Sequence, residues 1–160
     1  MGSLGMAQGG VIDPLTLSPA LWLKADAIVG LADGDAVSSW ADSSGNSRTF
    51  AQAGAASLKP TYKTAIRNGL PVVRFDGGDY LSGTRYALAT WTIIAVAAVS
   101  VKTVSCVYSH SDATITYNQE AYFYTLNNTL KAQRNSTSTI VATETGVSSA
   151  AAIFAGKYTG

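Results

Sequence analysis

Short runs of β-branched and aromatic residues, bounded by Gly, Asn, Asp, Ser or Pro, recur along the whole chain, while apolar spacing of helical period is hard to find. The pattern predicts strands at Leu21 to Ala25, Val37 to Asp42, Thr49 to Gln52, Pro71 to Phe75, Tyr80 to Ser82, Trp91 to Val101, Cys106 to Ser109, Thr114 to Tyr117, Ala121 to Leu126, Thr129 to Gln133, Ile140 to Thr143 and Ala151 to Tyr158. The stretch from Val147 to Ala152 reads as a loop entering the last of these. Trp91 to Val101 is apolar at both parities, with Trp91, Ile93, Ala95, Ala97, Val99 and Val101 on one side and Ile94, Val96 and Ala98 on the other. A strand of that kind is expected to be central and covered on both faces. Around Asn127-Asn128 the runs Ala121 to Leu126 and Thr129 to Lys131 predict a hairpin, because Asn tolerates the positive φ of a two-residue turn. Many strands with regular turn signals in one short domain predict a two-sheet sandwich or a barrel. No repeat period is visible, which argues against a propeller or solenoid.

Composition narrows the partners. The chain has 160 residues, with 11 Lys+Arg against 10 Asp+Glu and a formal net charge of +1, so nothing electrostatic points to nucleic acid. Charged residues make up 13% of the chain, about half the usual ~25%, whereas Ser and Thr together number 34 and Ala 25. The solvated surface is therefore expected to be rich in hydroxyl and amide groups. Leu, Ile, Val and Phe total 36, above the ~20% line below which chains tend to stay unfolded, and a single folded domain is expected.

The first 23 residues hold no Lys or Arg, and the longest apolar run, Ile93 to Val99, falls far short of the ~20 residues that span a bilayer. Neither a Sec signal nor membrane insertion is expected. Gly2, Gly5, Gly9 and Gly10, followed by Pro14 and Pro19, predict that residues 1–17 form an extended arm docking on a partner chain, with the sandwich spanning 18–160. Cys106 is the single cysteine and can make no intrachain disulfide or thiolate cage.

Candidate chemistry is sparse. Glycoside hydrolysis needs two carboxylates facing one sugar ring; the two glutamates, Glu120 and Glu144, form no paired motif, and Asp33, Asp35, Asp42, Asp76 and Asp79 all fall in Gly- or Ser-rich turns. His110 is the single histidine, its neighbours Ser109, Ser111 and Asp112 are mere sequence neighbours, and one His with one Cys makes zinc improbable. No Gly-rich stretch has the Lys-Ser/Thr or helix that phosphate binding requires. The expectation is a protein that is not an enzyme. Calcium is the one ion worth carrying, because Asp33-Gly34-Asp35 and Asp76-Gly77-Gly78-Asp79 each offer two carboxylates a short turn apart; the competing reading is turn aspartates capping backbone amides. Trp22 and Trp40 suit the space between two sheets, with a sugar-stacking platform as the alternative.

Three segments in order carry a family resemblance: Leu21-Trp22-Leu23-Lys24-Ala25-Asp26; Val37-Ser38-Ser39-Trp40-Ala41-Asp42-Ser43-Ser44-Gly45-Asn46; and Lys59-Pro60-Thr61-Tyr62 leading to Asn68-Gly69-Leu70-Pro71-Val72-Val73-Arg74-Phe75-Asp76-Gly77. Over residues 18–101 the chain resembles the N-terminal half of the concanavalin A-like, laminin-G-like jelly rolls of bacteriophage structural proteins and bacterial surface proteins. The resemblance implies an all-β, two-sheet antiparallel jelly-roll sandwich, incomplete at the C-terminus relative to the family. It implies a non-catalytic virion module at the virion surface, either capsid decoration or tail fibre. Its expected partners are other virion proteins, reached through the N-terminal arm, a host surface glycan, and a second copy in a homo-oligomer. A bacterial secreted or cell-surface carbohydrate-binding module is the alternative, and a glycoside hydrolase a more distant one. The expected glycan contacts are Trp40, Asp42, Asn46 and Tyr80, and the expected calcium ligands Asp33, Asp35, Asp76 and Asp79. Family members often carry one more residue, a further Asp, in the segment written here Asp76-Gly77-Gly78-Asp79-Tyr80-Leu81, so this loop is a residue short and the resemblance does not carry cation ligation over to it unchanged.

Overall fold

A computed structural model describes residues 13–84, 86, 91–98, 105–111, 119–126, 129–133, 140–145 and 152–158. Residues 1–12 of the arm expected over 1–17, the strand expected at Thr114 to Tyr117, residues 147–151 of the loop expected at 147–152 and the end of the Trp91 to Val101 run lie outside the described residues. What is described is mostly strand with little helix, arranged in small antiparallel sheets. The chain divides into two compact units, Met1–Thr84 and Arg85–Gly160.

The first unit contains four strands: β1 (Ser39–Trp40), β2 (Phe50–Ala51), β3 (Thr61–Arg67) and β4 (Leu70–Arg74), with 3-10 turns at Pro14–Leu17, Ala25–Ala27 and Ala56–Leu58. β1 pairs with β2 and β3 with β4, all antiparallel. Single bridges extend these pairs: Ala36, on the approach to β1, pairs with Thr61 of β3, and Ala51 of β2 pairs also with Ser82. Backbone bonds reinforce both seams, Val37 N to Pro60 O at 2.7 Å and Tyr62 N to Asp35 O at 2.8 Å on one side, Gln52 N to Ser38 O at 2.9 Å and Ala51 N to Ser82 O at 2.8 Å on the other. The segment around Val37 is thus hydrogen-bonded on both edges, and the described core sits there. Val37 is completely buried, Pro60 is almost so, and Tyr62 and Gln52 are each 7% exposed.

Several sequence expectations change here. The strand expected at Leu21 to Ala25 is one bridge, Leu23 to Asp42, running into the 3-10 turn Ala25–Ala27. The strand expected at Tyr80 to Ser82 is likewise only the Ser82 bridge. Pro14 does not extend the entry; it opens the 3-10 turn Pro14–Leu17, where a missing N–H costs nothing and Asp13 Oδ1 accepts from Leu15 N at 3.0 Å.

β3 is a strand the periodicity did not announce. It is one arm of a hairpin whose two-residue turn is Asn68-Gly69, with φ of 49° and 77°. Both central residues of a type I′ turn need positive φ, and Asn-Gly is the pair that supplies it at least cost. The β3–β4 ladder runs Thr61–Arg74, Tyr62–Val73, Lys63–Val72 and then jumps to Arg67–Leu70. Pro71 lies where the ladder breaks. Thr64 to Ile66 stand against Pro71 alone as a bulge, within which Ala65 takes φ 54°.

In the second unit, β5 (Trp91–Ala97) pairs along its whole length with β10 (Ala152–Tyr158), while β6 (Ser105–Ser111), β7 (Gln119–Leu126), β8 (Thr129–Gln133) and β9 (Ile140–Thr145) form a meander in that order. The hairpin expected between β7 and β8 is present, closed by Leu126 opposite Thr129. β5 departs from expectation. Among the described residues it pairs only with β10, and Ile94 and Val96 are 63% and 72% exposed, whereas Ile93, Ala95 and Ala97 are half-buried. An apolar run at both parities states what a strand could bury, and here one of its two faces is open.

Candidate functional site

Trp40, Asp42 and Asn46 meet in one loop, and the contacts they make are internal. Asp42 lies two residues past β1, which carries Trp40, and is followed by Ser43-Ser44-Gly45-Asn46, where Gly45 takes φ 89° to turn the chain. Four donors converge on the Asp42 carboxylate. Oδ1 accepts from Trp22 N at 3.0 Å and Ser44 N at 2.8 Å; Oδ2 accepts from the Ser44 hydroxyl at 2.7 Å and Arg48 N at 3.1 Å. A carboxylate with acceptor-only oxygens is the side chain that can hold this many N–H and O–H groups at once. Partial burial works to raise its pKa, but the donors from Trp22, Ser44 and Arg48 outweigh it and hold the carboxyl below its ordinary value.

The rest of the loop ties down the same stretch of chain. Asn46 Nδ2 donates to Pro19 O at 3.0 Å, Ala20 O at 3.3 Å and Ser44 Oγ at 3.0 Å. The Arg48 guanidinium donates to Ala20 O. Trp40 Nε1 donates to Lys24 O at 2.8 Å, and Ser43 N to Trp22 O at 2.7 Å. The segment 19–24 has almost no regular ladder of its own, so its backbone carbonyls and N–H groups are satisfied by this loop instead. Beside it, the Lys24 ammonium stands 5.0 Å from the centre of the Trp22 ring and 3.6 Å from Asp26. Tyr80, the fourth expected glycan contact, is not part of this cluster. It is exposed, and its backbone N donates to Leu58 O at 3.2 Å.

The four aspartates considered for calcium are engaged as turn and bulge acceptors. Asp33 reaches the β3 bulge, where Oδ1 accepts from Thr64 N at 2.9 Å and Oδ2 is ion-paired with Lys63. The N–H of Thr64, like that of Tyr62, is turned to the 33–35 segment, and there the Asp33 side chain accepts it where Asp35 O accepts from Tyr62. The Lys63 hydrogen bond, then the Thr64 N–H, hold its carboxyl below the ordinary value. Asp35 Oδ2 accepts from Ala32 N at 2.7 Å, Asp76 Oδ1 from Gly78 N at 2.9 Å, and Asp79 Oδ2 from Asp76 N at 2.9 Å. Lys63 already supplies the positive charge that a cation would bring to Asp33. Among the described residues no three His, Cys, Asp or Glu side chains stand together as a metal site.

Sequence reasoning picked out Asp42, Asn46 and Trp40 but not the partners that explain them, Trp22 N, the Ala20 carbonyl and Arg48. Nor did it find Lys63 and Thr64 as the partners of Asp33. A partial signal was present: Asn68-Gly69 between two extended runs marks a hairpin pairing Arg67 with Leu70 and placing Ile66 opposite Pro71, but it carries no sign of the bulge or of Asp33 beside Thr64. Comparison of the chain with protein-family models, with curated proteins and with solved structures finds no match.

Proposed function

We propose that this chain is a non-catalytic jelly-roll sandwich module of the concanavalin A-like, laminin-G-like kind, acting by adhesion and packing at a virion surface as a capsid decoration or tail-fibre component. The observation that carries the reading is the Asp42 knot. Two of the three segments on which the resemblance rests, Leu21 to Asp26 and Val37 to Asn46, are joined through Asp42 to Trp22 and through Trp40 to Lys24. Such a joint makes a rigid scaffold, and it engages the side chains that a hydrolytic site would need exposed. The described turn aspartates likewise accept backbone N–H groups rather than facing one another as an acid/base pair. A low-charge surface rich in hydroxyl and amide groups suits contact with neutral partners such as glycans or other coat proteins.

The test is localisation in the source organism. Antibody against the full chain is used to label a cleared lysate fractionated by density gradient. Label that sediments with particles and survives a high-salt wash supports the reading. Label confined to the cell envelope transfers the module to the bacterial surface. Reducing sugar released from host polysaccharide by the purified chain overturns the non-catalytic assignment.

A further inference from the structure

The tip of the β3–β4 hairpin combines three features. Asn68 is followed by Gly69, both are exposed, and among the described residues neither the Asn68 carboxamide nor the Gly69 N–H makes a hydrogen bond. One ladder pair, Arg67–Leu70, closes the turn, and the bulge opposite Pro71 separates that pair from the rest of the ladder. Ala65 within the bulge is held at φ 54°.

We propose that Asn68–Gly69 is a self-modification site, at which Asn68 is converted to aspartate and isoaspartate with ageing. The Gly69 nitrogen, deprotonated by hydroxide, attacks Asn68 Cγ. The new N–C bond closes a succinimide, the Cγ–Nδ2 bond breaks, and ammonia leaves. Water then opens the ring at either carbonyl. Glycine is the residue that hinders this attack least, having no Cβ beside the nucleophile, and asparagine is the thermolabile partner. The closed turn holds Asn68 in the left-handed basin, so ring closure proceeds from an opened tip. Opening gives up only the one pair beyond the bulge and is a local event. The product adds a negative charge beside Arg67. In its isoaspartyl form it also adds a methylene to the main chain, which a two-residue turn cannot accommodate. Modification therefore loosens the hairpin end that carries the exposed Ile66 and Leu70.

Asn46 is an internal control. It precedes Ser47, and its carboxamide is held by Pro19 O, Ala20 O and Ser44 Oγ. The experiment ages the folded full chain in mildly alkaline buffer and maps it by trypsin digestion and mass spectrometry. The fragment 68–74 should gain the mass of an acid in place of an amide and split into two chromatographic forms, while the fragment 25–48 keeps its amide. Ageing in urea should let the second fragment convert as well. An unmodified 68–74 fragment overturns the proposal. Equal conversion of both fragments in the folded chain, or an Asn46 that reacts no faster when unfolded, overturns the role given to the structure.

Discussion

The carboxylate of Asp42 accepts the backbone N–H of Trp22 at 3.0 Å across 20 residues of sequence. Neither residue lies in a long strand; the bridge Leu23–Asp42 is all the ladder this joint has. A side chain here performs the task that sheet hydrogen bonds perform elsewhere. The joint therefore draws part of its stability from an ionised group, beside the bonds that Trp40, Ser43, Asn46 and Arg48 make to the same segment.

Asp42→Ala should destabilise the first unit by about 2–3 kcal/mol, since hydrogen bonds to a charged acceptor contribute ~1.5–3 kcal/mol and removal strands several part-buried N–H groups. Asp42→Asn should cost less, because one oxygen survives. Urea unfolding followed by tryptophan fluorescence measures both; a wild-type midpoint for the Ala variant would show the knot to be incidental.

Acid should weaken the same joint. Donors to the Asp42 carboxylate hold its folded pKa below the unfolded value. Its contribution is therefore complete above the ordinary carboxylate pKa and is lost as pH falls through the lowered folded value. The folded Asp42→Asn variant should show a shallower loss of stability on acidification than the wild type. Parallel pH profiles for the two proteins would refute this assignment.

Ala65→Gly should stabilise the chain. A left-handed backbone costs a non-glycine residue about 1–2 kcal/mol, and glycine gives back roughly 0.5–1 kcal/mol through its freer unfolded state. The net gain expected is ~0.5–1 kcal/mol, read from the urea midpoint. A loss would mean that the bulge is not strained at Ala65.

Gly83→Ala should destabilise. A Cβ at this position would lie 2.9 Å from Phe50 Cε2 and 3.1 Å from the Thr49 carbonyl oxygen, and the backbone oxygen cannot swing aside as a long side chain could. Overpacking of this kind costs roughly 1–3 kcal/mol. An unchanged midpoint would place slack between Gly83 and the start of β2.

Val37→Ala should cost about 2 kcal/mol, the transfer free energy of a fully buried valine with the cavity it leaves. Ser39→Ala, two residues on at an exposed position, is the matched control and should leave the midpoint near wild type.

Alternation of short apolar runs with turn residues was enough to establish a β-rich chain, to place β7, β8, β9 and β10 to within a residue or two, and to set the β7–β8 hairpin, because strand period and turn chemistry are local properties. The same local logic located Asp42, Asn46 and the turn aspartates. It could not say what they bind. Asp42 works through Trp22 and Arg48, Asn46 through Pro19 and Ala20, and Asp33 through Lys63 and Thr64. These are pairings across 20 to 31 residues where the separation is longest, set by which backbone groups the ladder leaves unsatisfied. Burial was likewise decided by tertiary structure. Val37 lies in a Ser-flanked stretch yet is completely buried because ladders run along both its edges, whereas Ile94 and Val96, in the most apolar run of the chain, face outward. Hydrophobicity measures what a residue gains on burial, and only the placement of neighbouring strands determines whether that gain is realised.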